Sequence, residues 1–111
     1  MSLLGKKCIP CEAGTLPLEI EDIERYLGEV PGWRYDKTTG IGKITRDFKF
    51  GNFKEAMMFV NKVAEVAEGE GHHPDIHIFY NQVRLELWTH AAGGLTENDF
   101  VSAAKVSTLN L

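Results

Sequence analysis

The stretch that decides the fold is residues 75–88, DIHIFYNQVRLELW. Ile76, Ile78 and Tyr80 alternate with His77 and Phe79, and Val83, Leu85 and Leu87 alternate with Arg84, Glu86 and Trp88. Period-two alternation on both sides of a short polar break predicts a β-hairpin with one apolar face. Asn81 and Gln82 are read as the turn, since Asn tolerates the positive φ that two-residue turns require. Tyr80 then pairs with Val83, Ile78 with Leu85 and Ile76 with Leu87, all facing a helix layer. The opposite face carries Phe79 with Arg84, His77 with Glu86 and Asp75 with Trp88.

Three of the four histidines flank this hairpin, in Gly71-His72-His73-Pro74 before it and in Thr89-His90 after it. Carrying the register two residues beyond Asp75 places His73 opposite His90, and directly paired positions have Cβ atoms about 4.5–5.5 Å apart. Pro74 cannot donate a ladder hydrogen bond, so pairing frays there. Two imidazoles flanking one small molecule, with His72 at the mouth, form a candidate acid–base site. Histidine suits it because an ordinary pKa of about 6.5 lets it give or take a proton near neutrality. His77 is read as structural, bonded to Glu86. The chemical rival is a metal site using His73, Asp75 and His77. Pro74 prevents the continuous helix that would align the two histidines.

Farther out, a helix is expected over residues 18–27, with Ile20, Ile23 and Leu27 on one face, stopped by Gly28 and Pro31-Gly32. Trp33 and Tyr35 alternate with Arg34 and Asp36 as a strand, Thr38-Thr39-Gly40 turns the chain, and a second strand covers residues 43–50 with Arg46 interrupting its apolar side near an edge. Asn52 with Glu55 forms a capping-box pattern for a central helix. Its expected buried stripe is Phe53, Ala56, Met57, Val60, Val63, Ala64 and Ala67, widened by Phe59 and Val66, with Met58 projecting away. Gly69 and Gly71 end it. A last helix opens at Thr96, with Asp99 three residues on and Phe100, Ala103 and Ala104 inward. The order α-β-β-α-β-β-α predicts an α+β two-layer sandwich, a four-stranded antiparallel sheet with helices on one face.

The 111 residues suffice for one domain over residues 16–111, preceded by a loosely attached, flexible arm over residues 1–15. The arm carries Cys8-Ile9-Pro10-Cys11, which lacks the strand and helix of a redox motif and the second ligand pair of a structural zinc site. Those cysteines are read as non-essential thiols. A net charge of −4 and a pI near 5.5, without a basic cluster, argue against nucleic-acid binding. No apolar run approaches membrane-spanning length, which makes the cytoplasm the default compartment.

Glu68-x-x-x-His72-His73-Pro74-Asp75, then Tyr80, then Thr89-His90, then Gly94-Leu95-Thr96-Glu97-x-Asp99 resembles the pterin-4a-carbinolamine dehydratase family, known in animals also as a dimerisation cofactor of a homeodomain transcription factor. The resemblance runs from about Leu18 to the C-terminus. It implies metal-free, cofactor-free dehydration of 4a-hydroxytetrahydropterin to quinonoid dihydropterin, in tetrahydropterin recycling after aromatic amino-acid hydroxylation. It implies catalytic roles for His72, His73 and His90 and accessory roles for Glu68 and Asp99. It also implies a homodimer or homotetramer, with an aromatic amino-acid hydroxylase as a possible partner. On this reading His73 and His90 handle the protons of the C4a hydroxyl and N5 while His72 orients the substrate. Pro74 and Asp75 line the substrate site, and Phe79 and Trp88 either stack on the flat pterin or serve the fold. The alternative function is a non-catalytic oligomeric partner of a regulator or hydroxylase. Two positions depart from the animal members: Gly71 replaces an acidic residue before the paired histidines, and Ile76 replaces an aromatic.

Overall fold

The computed structural model describes residues 3–9 and 14–109. After a 3-10 turn at Leu3–Gly5 come α1 (Ile20–Leu27), β1 (Arg34–Asp36), β2 (Lys43–Lys49), α2 (Phe53–Glu70), β3 (Asp75–Phe79), β4 (Gln82–Leu87) and α3 (Glu97–Ser107). The four strands form one antiparallel sheet in the order β1-β2-β4-β3. The helices pack on one face of it, where Ile44, Phe48, Val83, Leu85 and Leu87 meet Phe59, Val63, Phe100 and Val101 in the buried core. The α+β sandwich is the one the element order predicts.

The hairpin keeps the predicted alternation, with Val83, Leu85 and Leu87 buried and Ile76 packed on the core, but Ile78 and Tyr80, expected inward, are exposed and the register shifts by two residues. Phe79 pairs with Gln82, Ile78 with Val83 and Asp75 with Glu86, so the turn is Tyr80-Asn81. The cause lies just past the end of β2. Asn81 continues the β2–β4 ladder: Phe50 N–H donates to its carbonyl at 2.8 Å, and its side-chain amide donates to the Phe50 carbonyl at 3.0 Å. Asn81 is therefore pinned beside Phe50 as the second turn residue, and the left-handed conformation falls on Tyr80, at φ 55°. Extended in this register, His73 lies across from Trp88. The direct His73–His90 pairing is thus overturned.

Other elements shift by less. Leu18 stays extended because its N–H donates to the Leu95 carbonyl at 2.8 Å, so α1 starts at Ile20. That helix buries Ile23 and stacks Tyr26 on Phe100 at 5.0 Å, leaving Ile20 exposed. Asn52 caps α2 by accepting from Glu55 N–H at 2.9 Å, a contribution of about 1 kcal/mol. Glu55 in turn accepts from Gly51 N–H. The buried stripe of α2 is Ala56, Phe59, Val63 and Ala67. Phe53 and Ala64, expected inside, are exposed, because the helix is rotated to place Phe59 against Phe48 and Phe50. β1 covers only Lys43–Thr45 of β2, so Arg46 begins a locally open edge, where its guanidinium lies over Phe48 at 4.7 Å.

The stretch read as a loose arm is attached along α3 over residues 3–9. Leu3 is buried in the core, Lys6 pairs with Glu97 at 2.8 Å, and Cys8 N–H donates to Glu70 at 2.9 Å. Cys11 lies outside the described residues.

Candidate active site

The site is built where α2 ends. Gly71 closes the helix in the left-handed region, at φ 67°, with its N–H returning to the Ala67 carbonyl. That cap favours glycine because a Cβ is strained there, which is a local reason for Gly71 at this position. The chain then turns His72 inward and His73 outward.

His72 Nε2 lies 2.6 Å from Asp99 Oδ1, and Asp99 is fully buried in the first turn of α3. The other carboxylate oxygen accepts the Thr96 N–H at 2.9 Å and the Thr89 hydroxyl at 2.9 Å. Thr89 and Thr96 hydroxyls are themselves 2.8 Å apart. The carboxylate that caps α3 therefore also orients an imidazole. An ionised carboxylate only accepts, so the neutral imidazole carries its proton on Nε2 and keeps the Nδ1 lone pair. His73 repeats the arrangement at the surface: its Nε2 is 2.6 Å from Glu68 Oε2, and both side chains are exposed.

His90 arrives from the other strand. Past Leu87 the chain makes a single bridge between Thr89 and Gly94 and turns tightly between them, setting the His90 ring flat on Trp88 at 3.8 Å with 20° between planes. Trp88 is steadied by its indole N–H, 3.4 Å from Asp75 Oδ2. All three histidines line one cavity of about 340 Å³, together with Trp88, Thr89, Ala91, Gly71, Ile9 and Asn98. That volume is at the small end for a ligand pocket. A larger cavity, about 640 Å³, lies by Val30, Arg46 and Ser107 and has no histidine in its lining.

The sequence-derived site is thus brought together around His72, His73, His90, Glu68, Asp99 and Trp88. Asp75 stands behind Trp88. Pro74 instead lines a small crevice with Val66 and Leu85 beneath His72. Phe79 is not part of the site: it sits at the hairpin tip under Arg84, four residues or about 13 Å of strand from Asp75. His77 is bonded to Glu86 at 3.2 Å, as expected from the sequence. Among the described residues no three His, Cys, Asp or Glu side chains converge as a metal site requires, so His73, Asp75 and His77 are not gathered into one.

Sequence reasoning missed Ile9 and Asn98. Their link spans 89 residues, with Ile9 N–H donating to Asn98 Oδ1 at 3.0 Å and Asn98 Nδ2 donating to the Ile9 carbonyl at 2.7 Å. The one available signal is Asn98 itself, a buried polar residue beside Asp99. Next to it the Cys8 thiol lies 3.4 Å from Ser102 Oγ, and burial pushes its pKa up.

Comparison with known proteins shows what the chain is similar to. The family model described as pterin 4 alpha carbinolamine dehydratase matches residues 16–109. A relative from Halorhodospira halophila, named putative pterin-4-alpha-carbinolamine dehydratase, is 48% identical over 98% of each chain. One from Methylococcus capsulatus with the same name is 49% identical over 97% of this chain and 93% of its own. The crystal structure of a transcriptional coactivator/pterin dehydratase from Brucella melitensis superposes with a TM-score of 0.76, at 35% identity, covering 82% of this chain and 95% of that one.

Proposed function

The chain belongs to the pterin-4a-carbinolamine dehydratase family, and from that premise we propose that it dehydrates 4a-hydroxytetrahydropterin to quinonoid dihydropterin by histidine acid–base catalysis, within tetrahydropterin recycling. The observation that carries the reading is the convergence of His72, His73 and His90 on one cavity, two of them each held by its own carboxylate. Loss of water from C4a needs a proton delivered to the departing hydroxyl and the N5 proton removed. Imidazoles supply both acts with no metal and no cofactor. His72, clamped by buried Asp99, orients the substrate. His73, with Glu68 on Nε2 and its Nδ1 lone pair available, takes up a proton, and Glu68 faces the imidazolium so formed. His90, fixed on Trp88, delivers the other. The indole supplies a flat apolar boundary for a bicyclic ring.

The test is turnover of synthetic 4a-hydroxytetrahydropterin, followed by absorbance against the uncatalysed rate with a chelator present. Wild type is expected to accelerate the reaction, and His73→Ala and His90→Ala are each expected to lower kcat by roughly 10²- to 10⁴-fold. A folded wild type with no rate above background would sink the proposal. A second reading, a non-catalytic oligomeric partner of a regulator or hydroxylase, draws on the coactivator description of the Brucella neighbour. It also draws on Phe53 and Met58, which α2 leaves exposed. Replacing all three histidines with alanine spares that role and abolishes the enzymatic one.

A further inference from the structure

We infer that Ile9 is a substrate-positioning residue and that residues 3–9 are the strap that holds it at the site. This rests on the dehydratase reading for its substrate. Ile9 lines the same cavity as the three histidines, yet its side chain is 69% exposed. A β-branched apolar side chain held in the open at the lip of the cavity gains burial when the face of a bicyclic ring packs against it. Its backbone is held on both sides at once: the Asn98 amide accepts from Ile9 N–H and donates to the Ile9 carbonyl. Asn98 directly precedes Asp99, so the clamp on Ile9 and the clamp on His72 are consecutive residues in one helical turn.

The rest of the strap is anchored independently of the cavity. Leu3 is buried, Lys6 bonds Glu97, and Tyr26 donates to the same carboxylate at 2.7 Å. Cys8 N–H bonds Glu70, which Lys105 also holds at 2.6 Å. These contacts fix the main chain on either side of Cys8 and leave Ile9 as the residue whose side chain is delivered to the site. Ile9 touches ligand rather than reacting atoms, so its loss affects binding of substrate and transition state alike. That signature is a raised KM with kcat retained.

The experiment compares wild type and Ile9→Ala in the full chain, by turnover of 4a-hydroxytetrahydropterin and by fluorescence titration with 7,8-dihydropterin, which lacks the departing hydroxyl. Because Ile9 is exposed, the thermal midpoint should not move. The expected result is a KM and a 7,8-dihydropterin Kd each raised about five- to tenfold, the scale of losing one or two buried methylenes, with kcat within about twofold of wild type. Asn98→Asp, which keeps the acceptor and removes the donor to the Ile9 carbonyl, should raise the same Kd. An active wild type with KM and Kd unchanged in Ile9→Ala overturns the inference and leaves the dehydratase reading standing. A wild type that binds 7,8-dihydropterin without turnover overturns that reading instead, and the Kd comparison alone then decides the role of Ile9. A kcat loss as large as that of His73→Ala also overturns the inference, since it would make Ile9 part of the chemistry.

Discussion

Asp99 shows how much a single buried carboxylate does here. Its two oxygens meet an imidazole, a backbone N–H and a hydroxyl, so none of its acceptor capacity is wasted on solvent. Thr89 is the least conspicuous member of that group and is almost fully buried. Thr89→Val keeps its shape and strips the hydroxyl that links Asp99 to Thr96. The expected cost is about 1–3 kcal/mol of stability, read from the urea midpoint, together with a higher KM as Asp99, the partner of His72, loses one of the bonds that fix it. The residue types at the site were legible in the sequence: paired histidines, a third beyond the hairpin, and carboxylates at matching motif positions. Which carboxylate serves which histidine was not, because His72 and Asp99 are 27 residues apart and meet only through the packing of α3 on α2.

Among the elements, the β3–β4 hairpin separates what alternation reveals from what it conceals. Which side chains share a face depends on parity alone, and a shift of two residues leaves parity intact. The register depends on which residues turn, and that is settled by Phe50, just past the end of β2. Sequence inspection of the hairpin therefore yields its faces and misplaces its pairs, including the one that joined His73 to His90. The observed turn also leaves Tyr80 left-handed and 67% exposed. A left-handed residue other than glycine costs about 1–2 kcal/mol, against about 0.5–1 kcal/mol for the extra chain entropy of glycine. Tyr80→Gly is thus expected to stabilise the protein by roughly 0.5–1 kcal/mol, raising the urea midpoint with no change in slope. A lower midpoint would mean that the Tyr80 ring contributes packing the exposed position does not suggest.

Across the whole molecule, the N-terminal strap runs from the site, at the C-terminal end of α2, along α3 toward that helix's far end. Its attachment left no periodic mark in the sequence, because it is made by backbone groups and single charges rather than by a repeated apolar face. It has a pH dependence of definite sign. The Lys105 ammonium and the Cys8 N–H hold the Glu70 carboxyl below the usual range, and Lys6 with Tyr26 does the same for Glu97. A carboxyl titrating lower in the folded state contributes stability that is complete above its ordinary pKa of about 4.3 and is lost as pH falls through the lower folded value. Acidification below about pH 4 should therefore release the strap first. Hydrogen exchange corrected for intrinsic rates is expected to show the Cys8 and Ile9 amides losing protection there while those of β4 keep theirs. Simultaneous loss in both would mean that strap and sheet unfold as one. The carboxylate shared by His72 and the start of α3 has a consequence in time as well. The imidazole seats on a carboxylate that the first turn of α3 sets in place, so in a chain refolding from denaturant activity is expected to return no earlier than that helix end and to serve as a late stopwatch for it.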